Sequence, residues 1–185
     1  MFWGVYVIKT ERLLIRKVLP GDWKDLYDYL SLEEIYHFEP GTPCSIDEAK
    51  SIAAERACSN SFFAVVLKES DKLIGHLYFH QTQPLEWMSW ELGYIFNPNY
   101  QSQGYCTEAS KALIAFAFCH WNAHRICAYC NPDNHASWKV LEKLGMRREG
   151  FFKQKGFFRR DENNQPLWHD CYAYGLLNKK SEGNH

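Results

Sequence analysis

The sequence predicts a single α+β domain, on three observations. The 185 residues are the length of one domain, and a chain of that size buries ~70% of the surface its unfolded form exposes. Strand-like and helix-like runs share the whole chain. No linker, low-complexity stretch or internal repeat divides it, so residues 1–178 are expected to form one unit, followed by a polar tail over 179–185.

The elements follow in order. Thr10 to Val18 is β-rich, with Leu13, Ile15 and Val18 apolar, and is a first strand. Pro20-Gly21-Asp22 punctuates, and Trp23, Leu26, Tyr27 and Leu30 then recur at helical spacing. Pro40 to Pro43 is a loop. Ser45 with Glu48 three residues on forms a capping box that opens a second helix. Phe62–Leu67 and Leu73–Phe79, joined by the polar turn Lys68 to Lys72, read as an antiparallel hairpin. Met88 to Phe96 is a fourth strand. A long helix covers Gly104 to Trp121, with Ala109, Leu113, Phe116, Ala117 and His120 on one side and Glu108, Ser110 and Lys111 on the other. Arg125 to Cys130 is a fifth strand. His135 to Leu144 is a helix stopped by Gly145 at the C′ position. Met146–Phe152 and Trp168–Leu177 are closing strands, with Arg159 to Pro166 a surface loop between them.

Composition excludes several classes. Lys plus Arg number 21 and Asp plus Glu 22, for a net charge of −1, whereas proteins that bind nucleic-acid backbones carry a basic excess. With 46% hydrophobic and 23% charged residues the chain is not a disordered segment. No run approaches the ~18 apolar residues of a membrane span. The first nine residues lack the pattern of a secretory signal. Seven scattered cysteines, an odd number, read as reduced thiols and a cytoplasmic location.

The segment that carries chemistry is strand, short polar loop, helix: Glu91 to Phe96, then Asn97 to Gly104, then Tyr105 onward. The first amides of a helix have no acceptor within it. They point together with the positive end of the macrodipole and can hold a pyrophosphate. Gly104 allows close backbone approach.

Gln101-Ser102-Gln103-Gly104-Tyr105-Cys106 resembles the Q/R-x-x-G-x-G/A pyrophosphate loop of the GNAT superfamily of acyl-CoA-dependent N-acyltransferases. Thr10 to Arg16 looks like the first strand of the RimJ/RimL-like branch, the ribosomal-protein N-terminal acetyltransferases. Later blocks, among them Glu91 to Tyr94, Gly104 to Ala109, His124 to Ile126, Asn134 to Ser137 and Val140 to Met146, match in their proper order, so the resemblance runs from Thr10 to Leu177. It implies a mixed, mostly antiparallel twisted sheet flanked by helices, with the fourth and fifth strands splayed and the pantetheine arm of acetyl-CoA lying in the gap. Backbone groups of Tyr94, Ile95 and Phe96 are then expected to pair with that arm. The amides of Gln101, Ser102, Gln103, Gly104, Tyr105 and Cys106 are expected to hold the pyrophosphate, and Asn134 to contact the arm. Cys106 departs from the pattern, standing where the family has glycine or alanine.

Acyl transfer to an amine needs deprotonation of an ammonium, attack geometry, and stabilisation of the oxyanion and the leaving thiolate. Glu91 is the candidate base, through water, with a solvated strand carboxylate or an ammonium anchor as the other reading. Ser137 is the candidate donor to the thiolate, with a backbone-bonded hydroxyl as the other. At the helix N-terminus the Cys106 thiol is expected to be more acidic than usual, but structural and not a nucleophile.

Other signals are weaker. Cys127 and Cys130 are three apart in a strand and point to opposite faces, and His120 and His124 lack further ligands for zinc, so no metal is expected. None of the remaining histidines forms a motif. Trp87 to Trp90 and Phe151-Phe152 fit the core or a homodimer contact. The expectation is an acetyl-CoA-dependent N-acetyltransferase acting on a protein N-terminal α-amine or a small amine, with no nucleic-acid or membrane partner. The alternative is a non-catalytic CoA-binding sensor or scaffold on the same fold.

Overall fold

The computed structural model describes residues 6–178; the first residues of the chain and the polar tail expected over 179–185 lie outside them. An eight-stranded sheet runs through the molecule in the order β1-β2-β3-β4-β5-β6-β8-β7. The strands are β1 (Ile8–Lys9), β2 (Leu13–Lys17), β3 (Phe62–Leu67), β4 (Lys72–Gln81), β5 (Ser89–Phe96), β6 (Arg125–Cys130), β7 (Arg147–Arg160) and β8 (Pro166–Leu177). Every neighbouring pair is antiparallel except β5 with β6.

Four helices cover the two faces: α1 (Trp23–Leu30) and α2 (Ile46–Cys58) on one, α3 (Tyr105–His120) and α4 (His135–Lys143) on the other. Strand alternation builds both cores from the same strands. Val65, Leu77, Phe79, Trp90 and Ile126 face α3, while Ala64, Val66 and Leu73 face Leu26, Tyr29 and Ala53. Phe79, Trp90 and Trp121 stack with ring centroids 5.1 and 5.2 Å apart, and each such buried side chain contributes roughly 1.5–3 kcal/mol. Gly75 is needed where β4 meets β5, because a Cβ there would lie 2.7 Å from the Phe96 ring.

The helix ends match the sequence. Ser45 Oγ accepts from Glu48 N, and the Glu48 carboxylate accepts from Ser45 N at 2.7 Å. Gly145 sits at φ +78°, its amide donating to Glu142 O at 3.0 Å while Met146 N donates to Leu141 O at 3.1 Å, the paired bonds of a Schellman end. Two expectations are corrected. Ser110 is fully buried and His120 is exposed; the small hydroxyl fits where α3 presses on the sheet, and the ring lies at the helix end. The closing hairpin is longer than expected: Arg159, Arg160 and Pro166 belong to its strands, leaving Asp161–Gln165 as the turn. Its charged, solvent-exposed residues hid the strand character, and its pairing is broken by three register shifts.

Candidate acyl-transfer site

β5 and β6 pair only over Ser89–Glu91 and Arg125–Cys127. Beyond Glu91 they part, because β6 continues beside β8 while β5 stays with β4. The side of β5 from Leu92 to Phe96 that faces β6 therefore has no strand partner, and its backbone groups are open to an extended ligand. Tyr94, Ile95 and Phe96 line a cavity of about 590 Å³ that continues to the loop before α3 and to the first turns of α4. The predicted splay and the predicted loop thus lie in one continuous space.

The loop is built to present amides. Asn97 Oδ1 accepts from Asn99 N at 3.0 Å, and the Gln101 side chain donates to Phe96 O at 3.0 Å, closing the loop onto β5. The Gln103 side chain donates to Asn99 O at 3.1 Å. Ser102 and Gly104 take positive φ, +60° and +84°, which turns the chain sharply into α3. The first bond of the helix runs from Glu108 N to Gly104 O at 3.0 Å, so the amides of Tyr105, Cys106 and Thr107 precede it and face outward from the helix end. Gln101, Ser102, Gly104, Tyr105 and Cys106 line the cavity, whereas Gln103, expected with them, does not and instead bonds Asn99 O and Arg12.

A clamp that sequence reasoning missed holds this loop. Arg12 donates from Nε to Glu108 Oε2 at 2.7 Å and from Nη1 to Gln103 O at 3.1 Å, and its guanidinium lies 4.3 Å over the Tyr105 ring. Thr10 Oγ1 adds a bond to Glu108 at 2.6 Å. Burial raises the Glu108 carboxyl, and the bonds from Thr10 and Arg12 outweigh it to leave the group more acidic than usual. The Thr-Glu-Arg run that signalled a strand is thus also the mount of the loop.

Asn134 caps α4, its Oδ1 accepting from Ser137 N at 3.0 Å. That bond occupies its side-chain oxygen, and Asn134 still lines the cavity. The Tyr94 hydroxyl donates to Ser137 O at 2.9 Å and stands 3.2 Å from Ser137 Oγ. Burial pushes the Tyr94 phenol well above its ordinary value. This hydroxyl pair was only half visible in sequence, where Tyr94 was noted for its backbone.

Cys106 is corrected in one respect. Burial pushes its thiol up to about 12, outweighing a hydrogen bond with Ser110, so the thiol is not acidified. Glu91 lies elsewhere than the cavity wall: it is opposite His80 across the β4–β5 ladder and forms the last β5–β6 pair with Cys127. It stands where β5 and β6 part, the point of a V, and its charge helps push the ionisation of Tyr78, Cys127 and Tyr129 to higher pH. Glu39, which no motif marked, lines the cavity from the segment after a short 3-10 turn, Glu33–His37. Among the described residues no group of three or more His, Cys, Asp or Glu is arranged to hold a metal, and no helix is long and apolar enough to cross a membrane.

Comparison with known proteins agrees with this geometry. The acetyltransferase (GNAT) domain model matches residues 12–147. The chain is 38% identical to the uncharacterized N-acetyltransferase YnaD of Bacillus subtilis, over 94% of this chain and 98% of the relative. It is 26% identical to the Escherichia coli [ribosomal protein uS5]-alanine N-acetyltransferase over 79% of this chain and 80% of that protein. A GNAT-family acetyltransferase from Bacillus anthracis superposes with a TM-score of 0.85 at 34% identity, covering 94% and 99% of the two chains.

Proposed function

Because the chain belongs to the acetyltransferase (GNAT) domain family, we propose that it transfers the acetyl group of acetyl-CoA directly to a primary amine. The observation that carries this reading is the opening between β5 and β6 running continuously into the amide-presenting loop before α3. An extended arm fits the first part and a pyrophosphate the second. The amides of Gln101 to Cys106 would bind the pyrophosphate, and the backbone of Tyr94 to Phe96 would pair with the arm as a strand does. A thioester entering the V in this way stops near Glu91 and the Tyr94–Ser137 hydroxyls.

Each residue then has a task. The thioester supplies the activated acyl group, so the protein supplies position, proton transfer and electrostatics. Glu91, at the point of the V, assists deprotonation of the amine through water. Ser137 donates to the sulfur as it acquires charge, with the Tyr94 hydroxyl fixing the helix turn that carries it. The acceptor is a protein N-terminal α-amine, as the names of the ribosomal-protein relatives suggest, or a small amine. Seven cysteines, none in a disulfide among the described residues, suit a reducing cytoplasm. Exposed Trp87, Phe151 and Trp168 leave room for a homodimer.

The test is incubation with acetyl-CoA and a panel of amines: short peptides with free alanine or serine N-termini, and spermidine. Thiol release matched by a mass gain of one acetyl group on an amine is the expected result. Binding of acetyl-CoA with no release to any acceptor would favour the sensor instead.

A further inference from the structure

Glu39 is a carboxylate that the fold puts into the cavity and leaves alone. It is half-buried, lines the same space as Tyr94 and Ser137, and has no hydrogen-bond or ion-pair partner among the described residues. Its surroundings are rigid. The Tyr36 hydroxyl donates to Leu30 O at 2.8 Å, and Arg159, from the tip of the long hairpin, donates to Tyr36 O at 2.7 Å. The backbone then turns at Gly41, φ +103°, against the Tyr36 ring. The end of α1 and the distant hairpin therefore brace the segment that delivers Glu39. A half-buried carboxylate without a partner is destabilising in its charged form, and in a ligand cavity such a group is suited to receive a cation.

We infer that Glu39 receives the ammonium group of the acceptor and takes its first proton, making the site selective for amines that arrive as cations. This rests on the acetyl-transfer reading above. The other titratable groups around the cavity are Glu34 and His37 beside it, Tyr94 on β5, Cys106 on α3, and Lys139 and Lys143 on α4. The phenols of Tyr100 and Tyr105 stand on the pyrophosphate loop. Glu39 acts on Tyr94, helping to keep that phenol protonated. The carboxylate thus shares one cavity with the hydroxyl pair assigned to the sulfur, and in this proposal the amine sits between them. Burial pushes the Glu39 carboxyl up to about 7, which matches a group that must take a proton and return it to water near neutrality.

The atoms balance. An N–H bond of the ammonium breaks and its proton goes to the Glu39 carboxylate. The freed lone pair forms the C–N bond at the thioester carbonyl carbon, and the C–S bond breaks with its electron pair left on sulfur. A second proton leaves nitrogen through water with the help of Glu91, and that water returns one proton to the sulfur. The third proton stays in the amide, and Glu39 returns its own to solvent. An ammonium has two protons to lose, so Glu39 and Glu91 do not duplicate each other.

The experiment compares wild type, Glu39→Gln, Glu39→Ala and Glu91→Gln with acetyl-CoA and the same peptides and spermidine, from pH 5.5 to 9.5, with acetyl-CoA affinity measured by calorimetry. Glu39→Gln should lose about 100- to 1000-fold in kcat/KM for the amine, the range of one general base, with a raised amine KM and unchanged acetyl-CoA affinity. Its pH profile should lose the inflection near 7, and formate should restore part of the rate of Glu39→Ala. Stability gives a second readout. A carboxyl whose folded value exceeds its unfolded one loses stability as pH rises from about 4.3 towards 7, with the full cost above 7. Glu39→Gln should therefore melt above wild type at pH 8 and with it at pH 4. Wild-type rates and inflection in Glu39→Gln, or loss of its acetyl-CoA affinity, would overturn the inference while leaving acetyl transfer standing. Absence of transfer by wild type to every amine would overturn both.

Discussion

Ser137 and Tyr94 show how little at the residue scale separates a structural hydroxyl from a catalytic one. Ser137 N is taken by the Asn134 cap and Ser137 O by Tyr94, so the helix turn is held by other atoms, and Oγ, 3.2 Å from the Tyr94 hydroxyl, can turn its proton to a ligand. Ser137→Ala should then fold normally and bind acetyl-CoA as wild type, but lower kcat about 10- to 100-fold, near the low end for one donor at a developing charge; an unchanged kcat at saturating amine would return the hydroxyl to a structural role. Glu91→Gln keeps shape and removes basicity. Its rate should fall at neutral and at high pH alike, because the second proton must leave nitrogen whichever form the amine arrives in; a wild-type rate across that range would make Glu91 a bystander. Glu91 and Ser137 are candidates through the family blocks that contain them. Glu39 is not one, because nothing in His-Phe-Glu-Pro-Gly sets its glutamate apart until Arg159, far away in sequence, bonds to Tyr36 O and fixes where that turn goes.

Elements matter here through their ends. α3 offers its amides because Gly104 turns the chain into it, and it keeps its place because Arg12 ties Glu108 and Gln103 to β2. Arg12→Gln should raise the KM for acetyl-CoA about tenfold, the equivalent of 1.4 kcal/mol, with kcat little changed; the pair is partly exposed, so a larger effect is not expected. An unaltered KM would show that the loop holds its shape without the clamp. Strands and helices with clear periodicity were readable in sequence: the β3–β4 hairpin, α3 with its glycine cap, and α4 with its Schellman end. The far half of β7 was not. In Lys-Gln-Lys-Gly-Phe-Phe-Arg-Arg both faces of the ribbon meet solvent, so the alternation that marks a half-buried strand is absent, and β7 forms because β8 pairs with it.

For the molecule as a whole, the account depends on one geometric event, the parting of β5 from β6 after a short parallel stretch. Sequence order alone does not reveal it, since the pairing of β6 with β8 joins residues about fifty positions apart and depends on the closing hairpin. The resemblance supplied that expectation, and the register of the sheet supports it. The proposed site rests on it: an arm between the strands, its pyrophosphate on the loop, its thioester near Glu91, Tyr94 and Ser137. The most direct test is calorimetric titration of acetyl-CoA into wild type and Gly104→Glu. At Gly104 the positive φ is strained for any side chain, and an added carboxylate would stand beside the phosphates. The account predicts saturable one-to-one binding by wild type and a loss of affinity of about 100-fold or more in the variant, by strain together with like-charge repulsion, with circular dichroism unchanged. Equal affinity in the two proteins would contradict it and place the cofactor elsewhere.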